Sequence, residues 1–203
     1  MSLVLLSQRV GHETRYSERR DMLDQRWALF LQQCGLMPLP IMNAGSLHFD
    51  VLQQLPIAGL ILSGGNDLVD YGGDAPERDQ REMELLRWAI DHQLPVLGIC
   101  RGMQLMVSFT GGKLLPVVGH VGVTHRIPWH DKERAINSYH QWACQLPAQG
   151  WRTLSSSKDG VIKAIQHQEH PWIGIMWHPE RQALFDQDDI ELFIEHLQKK
   201  GAV

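Results

Sequence analysis

The chain has 203 residues, 43% of them hydrophobic, and a formal net charge of -4. That length and apolar content suit one domain over residues 1–203 with a sizeable core, and the small net charge excludes a nucleic-acid coat or a polybasic membrane face. Three cysteines (Cys34, Cys100, Cys144) form no disulfide framework; with no signal-peptide pattern and no apolar run of membrane-spanning length, the expectation is a soluble cytoplasmic protein.

Residues 3–7 read as a buried first strand. Residues 9–20 are polar and mixed in charge and read as a loop. From Asp21 onward, Met22, Trp27, Leu29, Phe30 and Leu31 predict an amphipathic helix that closes near Cys34-Gly35. A strand over 37–41 is weakened by its two prolines, and a short helix follows at 49–55. The apolar run 57–62 is a strand that stops at Ser63-Gly64-Gly65. Residues 66–78, rich in Gly, Asp and Pro, read as a surface loop, and 79–93 as a helix with Met83, Leu86 and Ile90 on one stripe. Strand 95–99 leads into a glycine-flanked turn and a helix that Gly111-Gly112 stops near Thr110.

The second half changes character. Short strands are predicted at 117–127, 134–137, 151–155, 161–166 and 172–176, and a helix at 188–200 closes the chain. Alternating strand and helix in the first half predict an α/β fold with a doubly wound, mostly parallel sheet. A smaller antiparallel strand set is expected in the second half. Ligands of such sheets bind beyond the carboxyl ends of the strands, where Gly64-Gly65 and Cys100 both fall.

Gly98-Ile99-Cys100-Arg101-Gly102 has the form of a nucleophile elbow with cysteine in the reacting position. Cys100 would project from a tight strand-to-helix turn at a helix N-terminus, whose partial positive charge favours thiolate over thiol. A second apolar run, 172–177, delivers His178; Pro179 stiffens the turn, and Glu180 lies where its carboxylate reaches back to the imidazole. A thiol needs a base that later protonates the leaving amine, and the base needs a partner that fixes its tautomer. Cys100, His178 and Glu180 supply these three parts. Attack on an amide carbonyl also needs N–H groups aimed at the developing oxyanion. The Arg101 N–H is one candidate; Gly64 or Gly65 provides the second, and the sequence leaves open which.

Other residues have plainer readings. Cys34 and Cys144 lack catalytic context and read as small buried hydrophobes. His120, His125, His130 and His140 match no helix-face or finger spacing, so they read as separate loop and strand histidines with no metal site. Trp177, beside His178, is the tryptophan expected to touch substrate.

Leu62-Ser63-Gly64-Gly65, Gly98-Ile99-Cys100-Arg101-Gly102-Met103-Gln104, Asn137-Ser138-Tyr139-His140-Gln141 and His178-Pro179-Glu180 together resemble the class I glutamine amidotransferases, and among them the γ-glutamyl hydrolase branch. The resemblance spans nearly the whole chain. It implies a flavodoxin-like α/β sandwich, a γ-glutamyl thioester on Cys100 and no cofactor. It also implies that Gln104 and Asn137, Ser138 and Tyr139 hold the glutamyl backbone, with His140 adjoining them in the cleft. The start Leu6-Ser7-Gln8-Arg9 and Ser63-Gly64-Gly65-Asn66-Asp67-Leu68 are similar to a narrower group that acts in capsular phosphoramidate synthesis. There the γ-glutamyl C–N bond leads to a nucleotide-linked phosphoramidate. Such a leaving group is anionic, and arginine suits bidentate phosphate contact; Arg9 is the first candidate and Arg101 the second. The partner implied is a small γ-glutamyl molecule, with neither nucleic acid nor membrane. A synthetase partner fed with ammonia is the less favoured alternative, and a silent binding module on the same fold is opposed by the intact triad.

Overall fold

The computed structural model describes residues 2–144 and 149–198. The chain runs through β1 (Ser2–Ser7), the hairpin β2 (Arg9–Glu13) and β3 (Glu18–Met22), α1 (Arg26–Gln33), β4 (Leu36–Ile41), α2 (Phe49–Leu52), β5 (Ile57–Leu62), α3 (Pro76–Asp91), β6 (Val96–Ile99) and α4 (Arg101–Phe109). Then come β7 (Leu114–Pro116), the hairpin β8 (Val121–Trp129) and β9 (Lys132–Tyr139), β10 (Trp142–Cys144), β11 (Trp151–Ser156), β12 (Ile162–His167), β13 (Trp172–Ile175) and α5 (Gln187–Gln198).

The main sheet has seven strands in the order β11-β12-β13-β6-β5-β1-β4. The five from β13 to β4 are parallel, and β12 and β11 extend the sheet antiparallel. Separate two-stranded sheets are formed by β2–β3, β8–β9 and β7–β10. The predicted α/β architecture is present, with its antiparallel strands in the second half and one further hairpin near the start.

The apolar runs of β1 and β5 divide by parity, as strands covered on both faces must. Leu5, Leu60 and Leu62 join Leu85, Leu86, Met103 and Met106 of α3 and α4 on one face. Val4, Leu6 and Ile61 join Trp27, Phe30 and Phe193 of α1 and α5 on the other. β4 pairs only with β1 and forms the sheet edge. Pro38 and Pro40 are two residues apart, so both missing N–H groups lie on one side of that edge strand, where no ladder bond is lost.

Three predicted elements need correction. Residues 9–20 are a hairpin rather than a loop, with Arg9 opposite Met22 and His12 opposite Arg19. α1 starts at Arg26 rather than Asp21, because Asp21 closes β3 through bonds to Asn43. α3 starts at Pro76, since proline's fixed φ and missing N–H suit a first helical turn.

Helix α4 lies directly against the sheet. A Cβ on Gly102 would sit 2.2 Å from the Leu62 carbonyl oxygen, and one on Gly98 would sit 2.7 Å from the Gly102 carbonyl carbon. This close approach sets the height of the elbow above the strand ends. Gly102→Ala is expected to lower stability in urea unfolding by about 1–3 kcal/mol, the usual cost of overpacking. Unchanged stability would contradict the packing described.

Candidate active site

Cys100 follows the last residue of β6 and caps the N-terminus of α4. Its φ of 53° and ψ of -102° lie outside the regions favoured by non-glycine residues. The backbone holds it there from both sides. The Cys100 N–H donates to the Ile175 carbonyl at 2.7 Å, and its own carbonyl accepts the Gln104 N–H at 3.1 Å.

His178 arrives from β13, the strand beside β6. Asn137 clamps its backbone at two points: the His178 N–H donates to Asn137 Oδ1 at 2.8 Å, and Asn137 Nδ2 donates to the His178 carbonyl at 2.8 Å. The ring is only 1% exposed. Nδ1 lies 2.7 Å from Glu180 Oε1, and the side chain also hydrogen-bonds Cys100. Burial disfavours the imidazolium, but the neighbouring Cys100 and Glu180 outweigh it and raise the His178 pKa to about 9. Glu180 opens the short 3-10 turn Pro179–Arg181, and Arg26 Nε holds its carbonyl at 2.7 Å. Cys100, His178 and Glu180 are therefore brought together, with the carboxylate on Nδ1 of the ring and the thiol within hydrogen-bonding reach of the same side chain.

The Gly64-Gly65 turn is set by a residue that no sequence motif singles out. Arg78 of α3 is fully buried. It donates to the Ser63 carbonyl at 2.6 Å, to the Gly64 carbonyl at 3.2 Å and to the Gly65 carbonyl. A planar trans peptide points its N–H opposite its C=O. Drawing the Gly64 carbonyl toward Arg78 thus turns the Gly65 N–H the other way. Gly65 lines the cavity that contains Cys100, and its φ of +85° requires glycine. Gly64 has a different duty: a Cβ there would meet His178 Cε1 at 2.5 Å. The only sequence signal for Arg78 is an Arg/Glu pair at i, i+4, which also marks ordinary solvated helix faces.

The sequence model of the glutamine amidotransferase class-I family matches residues 40–193. The chain belongs to that family. It is 31% identical to the gamma-glutamyl-CDP-amidate hydrolase of Campylobacter jejuni, over 87% of this chain and 89% of that protein. It is 26% identical to the gamma-glutamyl-gamma-aminobutyrate hydrolase of Escherichia coli O157:H7, over 84% and 80% of the two chains. Among solved structures, a glutamine amidotransferase of Thermotoga maritima superposes with a TM-score of 0.67 at 14% identity, covering 100% of this chain and 86% of that one.

In this class-I amidotransferase chain, Cys100 opens into a cavity of about 240 Å³ lined also by Gly65, Arg101, Gln104, Tyr139, His140, His178 and Arg181. Gln104, Tyr139 and His140 thus share a cavity with Cys100. Asn137 and Ser138 are not. The Asn137 amide is engaged by the His178 backbone, and Ser138 is fully buried with its Oγ accepting from Lys163. The Arg101 side chain also departs from expectation. It is 1% exposed and paired with Glu82 and Asp79, so it offers nothing to a phosphate. Its backbone N–H, in the first turn of α4, still has no intrahelical partner to satisfy. Trp177 is fully buried and donates to Asp189 at 2.8 Å, which makes it core rather than cleft wall. Burial pushes the thiol pKa values of Cys34 and Cys144 up, in keeping with inert core residues. The histidines are not all separate: His120, His125 and His140 meet, with ring centroids 4.4 and 5.0 Å apart in successive pairs. His130 stands apart against Trp129.

The raised His178 pKa fixes the sign of a pH effect. The imidazolium persists well above the ordinary histidine range and is lost as pH climbs through about 9. For a ring that serves as the acid for a leaving nitrogen, kcat should fall along that limb. Glu180→Gln removes one of the groups that raise the pKa, so the limb should move to lower pH in a pH–rate profile. An unmoved limb would refute the role given to Glu180.

Proposed function

We propose that this protein hydrolyses the γ-glutamyl C–N bond of a nucleotide-linked phosphoramidate, taking γ-glutamyl-CDP-amidate to glutamate and cytidine diphosphoramidate, a cytoplasmic step in making a capsular phosphoramidate. The observation that carries the chemistry is Cys100, held strained at the end of β6 and bonded to a His178 that Glu180 orients.

The Cys100 thiolate attacks the γ-carbonyl carbon, forming a C–S bond and an oxyanion that the N–H groups of Gly65 and Arg101 receive. As the oxyanion collapses, the C–N bond breaks and the His178 imidazolium gives its proton to the departing nitrogen. Water then attacks the thioester, with one of its protons going to the neutral His178. The C–S bond breaks, glutamate leaves as the carboxylate, and the second proton passes to solvent.

Two observations support the leaving group. The relative from Campylobacter jejuni that covers most of this chain is named for that substrate. A second cavity, of about 330 Å³, is lined by Arg9, Met22, Leu23, Asp24, Trp27, Ser63, Gly64, Glu180 and Arg181. Arg181 lines both cavities and lies 4.8 Å over the Tyr139 ring, while the Arg9 side chain passes alongside Gly65. Two guanidinium groups at the outlet of the reacting bond suit a diphosphate.

Glutamate release from glutamine, γ-glutamyl-γ-aminobutyrate and γ-glutamyl-CDP-amidate tests the reading, with the highest kcat/KM expected for the last. Cys100→Ala should abolish turnover with an unchanged circular dichroism spectrum, and His178→Ala should cost about 10³-fold or more. Arg9→Ala and Arg181→Ala should each raise KM for the nucleotide substrate by about tenfold while leaving γ-glutamyl amines unaffected. A preference for glutamine, strengthened by an added synthetase, would replace this reading with that of an ammonia supplier.

A further inference from the structure

The β12 strand carries a lysine with no solvent exposure, Lys163. Its ammonium has three N–H donors and finds three acceptors: His120 Nδ1 at 2.8 Å, His140 Nε2 at 2.8 Å and Ser138 Oγ at 3.1 Å. The protons around it can be assigned. The Trp142 carbonyl lies 2.9 Å from His140 Nδ1, and a carbonyl only accepts, so His140 carries its proton there and offers Nε2 to Lys163. His120 likewise accepts from Lys163 at Nδ1 and donates from Nε2 to the Asp159 carboxylate at 3.0 Å. A chain of hydrogen bonds therefore leads from Asp159, whose side chain is half exposed, through His120 and Lys163 to His140 on the wall of the Cys100 cavity.

His140 Nδ1 and Gln104 Nε2 both donate to the same Trp142 carbonyl, at 2.9 and 2.8 Å. Ser138 and His140 flank Tyr139, and Lys163 grips both. We propose that Lys163 is the positioning residue of the glutamyl-binding wall, its ammonium holding Ser138 and His140 in place with Asp159 anchoring the charge through His120. This rests on the reading that the Cys100 cavity receives the γ-glutamyl group.

A neutral amine has only two N–H donors for three acceptors, so the arrangement belongs to the charged form. Burial lowers the Lys163 pKa, Asp159 and Cys100 raise it, and the result is about 8. The ammonium is complete below that value and lost as pH rises through it. The titratable groups facing it are His120 and His125 of the β8 side, His140 beyond β9, Asp159 before β12 and Cys100 beneath. Burial and Lys163 lower the pKa values of all three histidines, so they stay neutral over this range. His120, His125 and Asp159 also bring one potential metal-ligand atom each within 4.8 Å. A divalent ion there would need the His120 nitrogen that donates to Asp159, beside an ammonium bonded to the same ring. The bonds drawn above assign the cluster to protons.

Steady-state kinetics and imidazole ¹⁵N shifts test the proposal in the full chain. In the parent, KM for a γ-glutamyl substrate should rise as pH passes about 8. Lys163→Met should raise KM about tenfold at neutral pH, with kcat within about threefold, and flatten that pH dependence. Asp159→Asn, at a half-exposed position where the amide oxygen can still accept from Ser157 and Val161, removes a group that raises the Lys163 pKa and should move the KM limb to lower pH. The His140 ring should read as a single Nδ1–H tautomer in the parent and as a mixture in Lys163→Met. Unchanged KM profiles in both variants would overturn the proposal, as would loss of activity on EDTA treatment with recovery on adding Zn²⁺. If the parent cleaves no γ-glutamyl compound, the functional reading fails on its own, and the His140 shifts still decide whether Lys163 governs that ring.

Discussion

The contact between the Cys100 sulfur and the His178 ring organises the rest of the site. Both residues are almost wholly buried, and charge is costly in a poorly solvated place unless it is matched. The matching comes from several directions. The charge on Cys100 raises the proton affinity of His178, of Arg78 and of Lys163, all of them against the opposing effect of burial. One sulfur thus lies within the field of three cationic groups on three elements: the turn after β13, helix α3 and strand β12. Glu180 completes the balance on the far side of the imidazole.

A matching set of contacts holds the backbone. Cys100 keeps an unfavourable φ because the sheet takes its N–H and the helix takes its carbonyl. His178 stays at its height because Asn137 grips its peptide groups on both sides. The Gly64-Gly65 turn keeps its orientation because Arg78 draws three successive carbonyls to one guanidinium. Arg78 also pairs with Glu82, which pairs with Arg101 of the elbow helix. Helix α4 and the Gly64-Gly65 turn therefore share one buried charge network, and displacing either disturbs the other.

Much of this is legible along the chain, because the decisive signals are local. The limits of β5 follow directly from a continuous apolar run that ends at two glycines. The elbow and the His178-Pro179-Glu180 turn each fit within a few residues, so their chemistry is readable before their meeting is seen. What escapes is set by distant pairing. β2 and β3 are largely exposed and polar, so no period-two pattern marks them as strands. Asn137 and Ser138 lie beside the cleft in sequence, but the β8–β9 pairing and the neighbours of β9 direct their side chains to His178 and Lys163. The histidine cluster depends on the same pairing, which brings together rings that no sequence spacing relates. Arg101 misleads for a similar reason. Beside a nucleophile an arginine reads as a substrate contact, and only the packing of α3 against α4 reveals Asp79 and Glu82 waiting for it.

The geometry also bears on selectivity. Gly64 lies against the His178 ring with no space for a Cβ and lines the cavity of Arg9 and Trp27, whereas Gly65 lines that of Cys100. Cys100, Gln104 and His140 line one cavity; Arg9, Trp27 and Glu180 line the other. In the proposed reaction the acyl carbon meets the sulfur and the departing nitrogen meets the imidazole, both of which line the same cavity. The residues lining the far cavity come from β2, β3, α1, the end of β5 and the short turn after His178, and one of them, Glu180, also holds the His178 ring. In the proposed reaction a change at Arg9 bears on the leaving group, whereas a change at Glu180 bears on the imidazole itself.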